Sequence, residues 1–231
     1  MYYNHNGDSM KGKLIVIEGT DCSGKETQTK LLIKRLKQHN IKCQTLSFPM
    51  YDTPTGRIVG GPFLGKSYIC EGWFPEGAIN VDPKVSSLYY AADRKYNWSK
   101  IQEYLDKDYY VILDRYTPSN LAHQGSKITD KDERFNMYQW IDKLEYWLLG
   151  LPKPDKTIFL HVPAEKTLEL LKCRKCLDNH EKSPEYLKNV EESYIELSEL
   201  YNWDRIECIK AGNLRSVLDI NDEIISLIEN M

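Results

Sequence analysis

Residues 13–27, which read KLIVIEGTDCSGKET, constrain the fold more than any other stretch of this chain. The apolar run from Leu14 to Ile17 is followed by a polar loop bounded by glycines, and then by an amphipathic helical pattern. The spacing of Gly19, Gly24 and Lys25 matches a phosphate-binding loop, in which backbone N–H groups and a helix N-terminus face phosphate oxygens. The sequence therefore predicts a strand, a phosphate loop and a helix. The residues expected at the phosphates are Gly19, Thr20, Asp21, Cys22, Ser23, Gly24, Lys25, Glu26 and Thr27.

One position of this loop departs from the usual pattern. The loop lysine is normally followed by Ser or Thr, whose hydroxyl contacts Mg²⁺, whereas Glu26 stands there in this chain and Thr27 comes next. A carboxylate beside phosphates requires a metal ion, an arginine or an outward orientation. A glycine turn that joins strand and helix and binds no ligand is the alternative interpretation.

Bulk properties exclude several classes of protein. The chain has 231 residues, a net charge of −3 and no apolar stretch as long as a membrane helix requires. We therefore predict one domain over residues 11–231, with no general attraction to nucleic acid or to an anionic membrane. Residues 1–10 are polar and are predicted to form a disordered extension.

The six cysteines are scattered, which is typical of reduced thiols and predicts a cytoplasmic protein. Cys173 and Cys176 have the spacing of half a zinc site. No second Cys/His pair follows at a suitable spacing, so zinc is not predicted.

Strand and helix patterns alternate along the whole chain, which predicts an α/β fold with a parallel sheet. A Gly- and Pro-rich segment, 52–82, interrupts the alternation, and we expect a short helix around Gly56–Leu64 followed by a long surface loop. Asp82 and Asp130 are the expected N-caps of the helices that follow them. After the first strand, further strands are predicted at 41–47, 109–113, 157–162 and 206–209.

Chemically active residues follow the predicted strands. Phe48 and Tyr51 come after the second strand, and Asp114 and Arg115 end the third. Ligands of an open α/β sheet bind beyond the carboxyl ends of its strands, where a carboxylate can hold Mg²⁺ and an arginine can bind a second phosphoryl group. Two phosphate sites on adjacent strands favour transfer between nucleotides over hydrolysis. An Asp114–Arg115 ion pair that merely caps the sheet edge is the alternative.

Five ordered motifs then carry a resemblance to a known family: EGTDCSGKETQ (18–28), FPMYDTPTG (48–56), LYYAADR (88–94), DRYTPSNLAHQG (114–125) and LPKPDKTIFLHV (151–162). Together they resemble thymidylate kinases, of the nucleoside monophosphate kinase group, over most of the chain from about Lys13. The resemblance implies a three-layer P-loop kinase fold, with a five-stranded parallel sheet and a mobile lid at about 172–184. It also implies phosphorylation of dTMP to dTDP by MgATP.

On the acceptor side, the resemblance implies that Tyr90 stacks on thymine, Arg94 reads thymine O4 and Asn120 bonds N3. The resemblance also places His123 near the sugar, where it is expected to disfavour a 2′-hydroxyl. A core role for both Tyr89 and Tyr90, and a His123 bonded to backbone, are the alternatives. The full implied dTMP set is Asp21, Phe48, Tyr51, Tyr90, Arg94, Arg115, Asn120, His123 and Gln124.

On the donor side, the resemblance implies that Arg174 closes over ATP from the lid, in which the second expected arginine is absent. The segment 211–214 falls where the family commonly contacts adenine. Mg²⁺ is expected at Asp21, Asp114 and Thr27, and a homodimer is implied. The rival functions are a kinase of another deoxynucleoside or deoxynucleotide and a nucleotide-binding regulator without catalysis. The implied catalytic set is Lys25, Asp21, Asp114, Arg115 and Arg174.

Overall fold

The computed structural model describes residues 12–171 and 184–231. A five-stranded sheet forms the centre, with the strand order β2-β3-β1-β4-β5 and every neighbouring pair parallel. The strands are β1 (Lys13–Glu18), β2 (Cys43–Ser47), β3 (Tyr110–Asp114), β4 (Lys156–His161) and β5 (Asp204–Glu207). The helices are α1 (Lys25–Gln38), α2 (Pro54–Ile58), α3 (Pro83–Leu105), α4 (Thr117–Gly125), α5 (Lys131–Asp142), α6 (Ala164–Leu171), α7 (Pro184–Leu200) and α8 (Val217–Glu229).

The central strand β1 is buried on both faces, which explains its continuous apolar run. Ile15 and Ile17 pack with α1 and α8 on one face, whereas Leu14 and Val16 pack on the other face with residues that include Ile101 of α3. The helices α4, α5 and α7 share a further core that reaches Phe159 of β4. This three-layer arrangement confirms the predicted fold class.

N-cap residues in the sequence determine where α3 and α5 begin. The Asp82 carboxylate accepts hydrogen bonds from the N–H groups of Lys84 and Val85, and Pro83 occupies the first turn of α3. The Asp130 carboxylate accepts from the N–H of Glu133 at the start of α5. Both predicted caps are therefore confirmed.

The predicted fifth strand, 206–209, was placed wrongly. The strand runs from Asp204 to Glu207, with Asp204 paired to Ile158 and Glu207 to His161. This strand lies at the edge of the sheet, where polar residues are tolerated. Its polar residues pair with β4, although a search for hydrophobic residues does not identify them. Ile209 instead belongs to a small antiparallel hairpin, β6 (Ile209–Lys210) and β7 (Asn213–Leu214).

The segment predicted as one short helix around Gly56–Leu64 has two parts. The helix α2 begins earlier, at Pro54, with Thr53 as its N-cap, and one π-helical turn, Val59–Phe63, continues it. A second π-helical turn, Lys143–Leu148, extends α5. Such turns are frequent at functional sites.

Several predictions concern residues outside the described ranges. They are the extension at 1–10, the lid at about 172–184 apart from Pro184, its Arg174, and the Cys173–Cys176 pair. Within residues 12–171 and 184–231, no helix is both long and apolar enough to cross a membrane.

Candidate active site

The loop between β1 and α1 has the shape that its glycines require. A Cβ atom on Gly19 would lie 2.7 Å from the Leu160 carbonyl oxygen, and Gly19 has a φ of +152°. The Lys25 Nζ atom donates to the carbonyl oxygens of Gly19 and Thr20, at 3.0 and 2.7 Å. Burial lowers the pKa of Lys25 to about 8. The cation therefore lies against its own loop, where bound phosphate oxygens can replace these carbonyls.

The unusual Glu26 lies at the rim of this loop. It forms an ion pair with Lys30, one turn further along α1, and the two side chains are 75% and 72% exposed. Solvent screens a charge in that position. The outward orientation that the sequence left open is thus the one observed, and Thr27 beside it is also exposed.

At the end of β3, Arg115 adopts a left-handed backbone conformation, with a φ of +69°. Its guanidinium donates to Asp21 Oδ1 at 2.5 Å and to Ser119 Oγ at 3.1 Å. The guanidinium also contacts His123 Nε2 at 3.1 Å. Strained backbone of this kind is characteristic of functional sites. The ion pair brings together the phosphate loop and the end of the neighbouring strand, as the sequence predicted for Asp21 and Arg115.

A buried carboxylate that was not predicted supports this corner. Glu18 accepts hydrogen bonds from the N–H groups of Tyr116 and Ser119, from Ser119 Oγ and from the Tyr194 hydroxyl. Burial raises the pKa of Glu18, although Arg115 acts in the opposite direction. The sequence signal that could have identified Glu18 is its position at the end of an apolar run, directly before Gly19.

A second unpredicted carboxylate organises the far end of the site. Glu145 is fully buried and forms a bidentate ion pair with Arg94, with both nitrogen–oxygen distances at 2.5 Å. It also accepts from Thr117 Oγ at 2.8 Å and from Asn120 Nδ2 at 2.8 Å. Arg94 and Asn120 are therefore brought together and fixed by one residue. A lone glutamate in the apolar pattern of residues 141–148 was the only sequence signal.

Two amide oxygens at this end have no hydrogen-bond partner among the described residues. They are Oδ1 of Asn120 and Oε1 of Gln124, and both atoms are buried. Buried acceptors usually have a partner. Both residues line the same pocket, so a ligand bound there lies close to these two amides.

Tyr89 and Tyr90 both pack against Phe63, and Tyr90 contacts it edge-on with ring centroids 5.7 Å apart. Tyr89 stacks on Phe63, with ring centroids 5.1 Å apart, and contacts Phe74 edge-on. Tyr90 lines the pocket together with Phe48. The structure thus favours Tyr90 over Tyr89 as the platform residue.

Both ring nitrogens of His123 have side-chain partners among the described residues. Its Nδ1 atom lies 2.8 Å from the Tyr186 hydroxyl, and its Nε2 atom faces Arg115. Tyr186, on α7, also lines the pocket and was not predicted, because α7 lies far from the motifs in sequence.

Two adjoining pockets result from this arrangement. The first, called here the acceptor pocket, is lined by the residues around Tyr90, Arg94, Asn120 and Gln124. The second, the loop pocket, contains Lys25, Asp114 and Thr27, together with Leu214 from the predicted 211–214 segment. Both pockets include the same five residues, which form a shared wall: Asp21, Phe48, Pro49, Tyr51 and Arg115.

The donor set of the loop pocket fits a Mg²⁺ ion that is held mainly by phosphates and water. Such an ion needs only one or two protein carboxylates, and Asp114 and Asp21 both line this pocket. Within the part of the chain that the structure describes, no cluster of three or more His, Cys, Asp or Glu forms a complete metal site. The chemistry therefore suits a metal that arrives with a nucleotide.

The site combines two features: a glycine-bounded phosphate loop after the first strand, and a second pocket at the end of the neighbouring strand that shares a wall with it. Together these features define the class of P-loop nucleotide kinases. The family model described as thymidylate kinase matches residues 17–219. The chain belongs to the thymidylate kinase family.

Individual relatives align with this chain over nearly their whole length. A probable thymidylate kinase of Methanocaldococcus jannaschii is 34% identical over 217 residues, covering 94% of this chain and 96% of that protein. The thymidylate kinase of Schizosaccharomyces pombe is 28% identical over 221 residues, covering 96% and 93%. The solved structure of Candida albicans thymidylate kinase superposes with a TM-score of 0.70 at 26% identity, covering 96% of this chain and 93% of that one.

Proposed function

We propose that this enzyme phosphorylates dTMP to dTDP, with ATP as the phosphoryl donor. The observation that carries the proposal is the wall shared by the two pockets, because phosphoryl transfer requires both phosphates at one place. The loop pocket holds the phosphates of ATP through backbone N–H groups and Lys25. The acceptor pocket holds dTMP with its phosphate towards Arg115.

The acceptor pocket supports thymine as the base. Arg94 is held by Glu145 and supplies N–H donors, which suit the O4 carbonyl. The Oδ1 atom of Asn120 is an acceptor, which suits the N3–H group. Tyr90 supplies an aromatic face for the ring. A thymine edge therefore matches the donors and the acceptor that these residues offer.

Charge at the shared wall supports the transfer step. Arg115 and Lys25 place positive charge on both sides of the migrating phosphoryl group, where negative charge is shared in the transition state. Asp114 and Asp21, with Thr27 directly or through water, would hold Mg²⁺, which neutralises phosphate charge when it is bound. When the acceptor phosphate enters, it replaces Asp21 as the partner of Arg115.

The remaining parts of the proposal rest on the family resemblance. Arg174 closes over ATP from the predicted lid, and the protein works in the cytoplasm as a homodimer. The helix α3 supports the dimer, since Val85, Leu88 and Tyr96 are 40%, 51% and 58% exposed on it. The outward position of Glu26 removes the main sequence feature that favoured a regulator without catalysis.

The test is ADP formation with MgATP and a panel of acceptors: dTMP, dUMP, CMP, dGMP, AMP and thymidine. We expect the highest kcat/KM with dTMP. Highest turnover with thymidine or with a purine nucleotide would overturn the assignment of the acceptor. Absence of turnover with every acceptor would instead support the regulator.

A further inference from the structure

Two hydroxyl groups connect the Arg115 guanidinium to the buried carboxylate of Glu18. Arg115 Nη1 donates to Ser119 Oγ at 3.1 Å and to the Tyr194 hydroxyl at 3.4 Å. The same two hydroxyls donate to Glu18 Oε2, at 2.6 Å from Ser119 and 2.9 Å from Tyr194. Glu18 is therefore linked to the arginine through two bridges, each made of one hydroxyl group.

The chemistry of a carboxylate fixes the direction of these hydrogen bonds. Burial raises the pKa of Glu18, whereas Arg115 and the surrounding donors favour its ionised form. An ionised carboxylate only accepts hydrogen bonds, so both hydroxyls direct their hydrogens to it. Their lone pairs are then left for a partner that only donates, and a guanidinium is such a partner. Glu18 thus makes both hydroxyls acceptors for one Arg115 nitrogen.

The other oxygen of Glu18 fixes the backbone beside Arg115. Glu18 Oε1 accepts the N–H groups of Tyr116 and Ser119, at 2.9 and 3.1 Å. Tyr116 is the N-cap of α4 and makes no capping bond with its own side chain, so β1 supplies the acceptor that this helix start needs. On the other side, the Arg115 N–H donates to the Ile17 carbonyl at 3.3 Å. Contacts on both sides therefore hold the left-handed backbone of Arg115.

Glu18 differs from Asp21, the other carboxylate near Arg115, in its access to ligands. Asp21 lines both pockets, whereas Glu18 is fully buried and lines neither. Tyr194 is also fully buried and lines neither pocket. A ligand in the pockets can therefore displace Asp21 from Arg115, but it leaves the contacts through Glu18 in place.

We propose that Glu18 is a positioning residue for phosphoryl transfer, which acts through Ser119 and Tyr194 to hold the Arg115 guanidinium in the orientation that receives the acceptor phosphate. Arg115 is then ordered before the phosphate arrives, and less side-chain freedom is lost on binding. The inference rests on the proposed function, since it assumes that the acceptor is a monophosphate. It gives the glutamate that precedes the phosphate loop a part in the acceptor half of the site.

Two variants separate this role from a purely structural one. Glu18→Gln keeps the shape of the side chain, and its carbonyl oxygen can still accept the N–H groups of Tyr116 and Ser119. Its NH₂ group then faces the two hydroxyls and donates to them, which reverses the bridges. Tyr194→Phe removes one bridge and leaves the carboxylate unchanged.

The matched control is Tyr138→Phe. Tyr138 is also buried, its hydroxyl donates to a glutamate, Glu196, at 3.0 Å, and it lines neither pocket. Dissociation constants are measured by calorimetry for dTMP and for thymidine, which lacks the phosphate and keeps the base and sugar. Thermal melting shows whether each variant is folded.

We expect Glu18→Gln to weaken dTMP binding by roughly 10- to 100-fold and Tyr194→Phe by roughly three- to tenfold. Thymidine binding should stay within about twofold of wild type in both variants, and Tyr138→Phe should match wild type for both ligands. In an Arg115→Met background, Tyr194→Phe should weaken dTMP binding no further, because the group that the hydroxyl orients is absent.

The proposal is overturned if Tyr194→Phe leaves dTMP binding unchanged or weakens dTMP and thymidine equally. A further loss of dTMP affinity in the Arg115→Met background would also overturn it, because the hydroxyl would then act independently of the arginine. If Glu18→Gln does not fold, the Tyr194→Phe results decide. If wild type itself fails to bind or phosphorylate dTMP, the proposed function fails instead, and the two failures are distinct.

Discussion

At the scale of single residues, the hydrogen bonds of Glu145 determine how the acceptor pocket presents Asn120. A carboxylate can only accept hydrogen bonds, so the Asn120 NH₂ group must be the part that faces it, at 2.8 Å. The amide carbonyl oxygen is then directed elsewhere and has no protein partner in the described part of the chain. A base with N–H at N3 can satisfy that oxygen, whereas cytosine would present a second acceptor to it. We therefore propose that Glu145 influences base choice through Asn120.

Replacing this carboxylate by an amide tests the argument. In Glu145→Gln, the new NH₂ group can donate, so Asn120 can reverse its amide, and Arg94 loses its buried counter-charge. We expect kcat/KM for dTMP to fall by roughly 10- to 100-fold. We expect the preference for dTMP over dCMP to shrink at the same time, with the KM for ATP within about twofold of wild type.

The matched control for that variant is Glu196→Gln. Glu196 also pairs with an arginine, Arg134, at 2.8 Å, but it is partly exposed and lines neither pocket. It should leave the dTMP-to-dCMP ratio unchanged. If Glu145→Gln lowered kcat/KM for both acceptors by the same factor, its role would be structural and not one of base selection.

At the scale of secondary-structure elements, a triad of His161, Glu207 and Glu191 connects β4, β5 and α7. His161 ends β4, and its two ring nitrogens lie 2.6 Å from Glu207 of β5 and 2.8 Å from Glu191 of α7. Glu191 also accepts the N–H of Ala164, the first residue of α6. Burial lowers the pKa of His161, but the hydrogen bonds to both carboxylates outweigh it, so the net pKa is raised. Both ring nitrogens can donate only when the ring is protonated.

This triad predicts a pH-dependent contribution to stability. A histidine whose pKa is raised by folding stabilises fully below its unfolded value of 6.5, and the effect is lost as pH rises through the folded value. We expect His161→Gln to lower the free energy of unfolding by about 2 kcal/mol at pH 6. The difference from wild type should shrink progressively towards pH 9, as measured by urea denaturation across that range.

His39→Gln serves as the control for this experiment, because His39 is exposed at the end of α1. Its effect should be small at every pH. A His161→Gln difference that stayed constant from pH 6 to pH 9 would show that the ring acts through packing and not through its charge.

At the scale of the whole molecule, the exposed apolar residues of α3 predict self-association. Leu88 lies between Val85 and Tyr96 on this helix, and all three are substantially exposed. We expect wild type to have twice the mass of one chain by light scattering, and Leu88→Glu to be monomeric, because a buried unpaired charge is costly at an interface.

Leu218→Glu is the matched control for the interface, since Leu218 is a leucine 61% exposed on α8. It should leave the mass unchanged. A wild-type protein that is monomeric at micromolar concentration, or a Leu88→Glu variant that stays dimeric, would contradict the proposed interface.

Sequence reasoning recovered those parts of the fold and site that depend on neighbours along the chain. The phosphate loop is one contiguous motif, and α3 begins at Pro83, directly after its predicted cap Asp82. The edge strand β5 was misplaced because its pairing partner, and not its own hydrophobicity, determines its bounds. Glu145 was missed because its contacts are tertiary: it lies 51 residues from Arg94 in the sequence.

The wall shared by the two pockets has a consequence for inhibition. We expect a single molecule with an adenosine-like end and a thymidine-like end to bind along this wall, because its residues line both pockets. Once one end is bound, the other end meets its own pocket at an effective concentration of millimolar order if the linker is short. Such a compound binds more tightly than either half. We also expect resistance to be constrained, because a substitution in the wall, at Arg115 for example, alters a residue that lines both pockets.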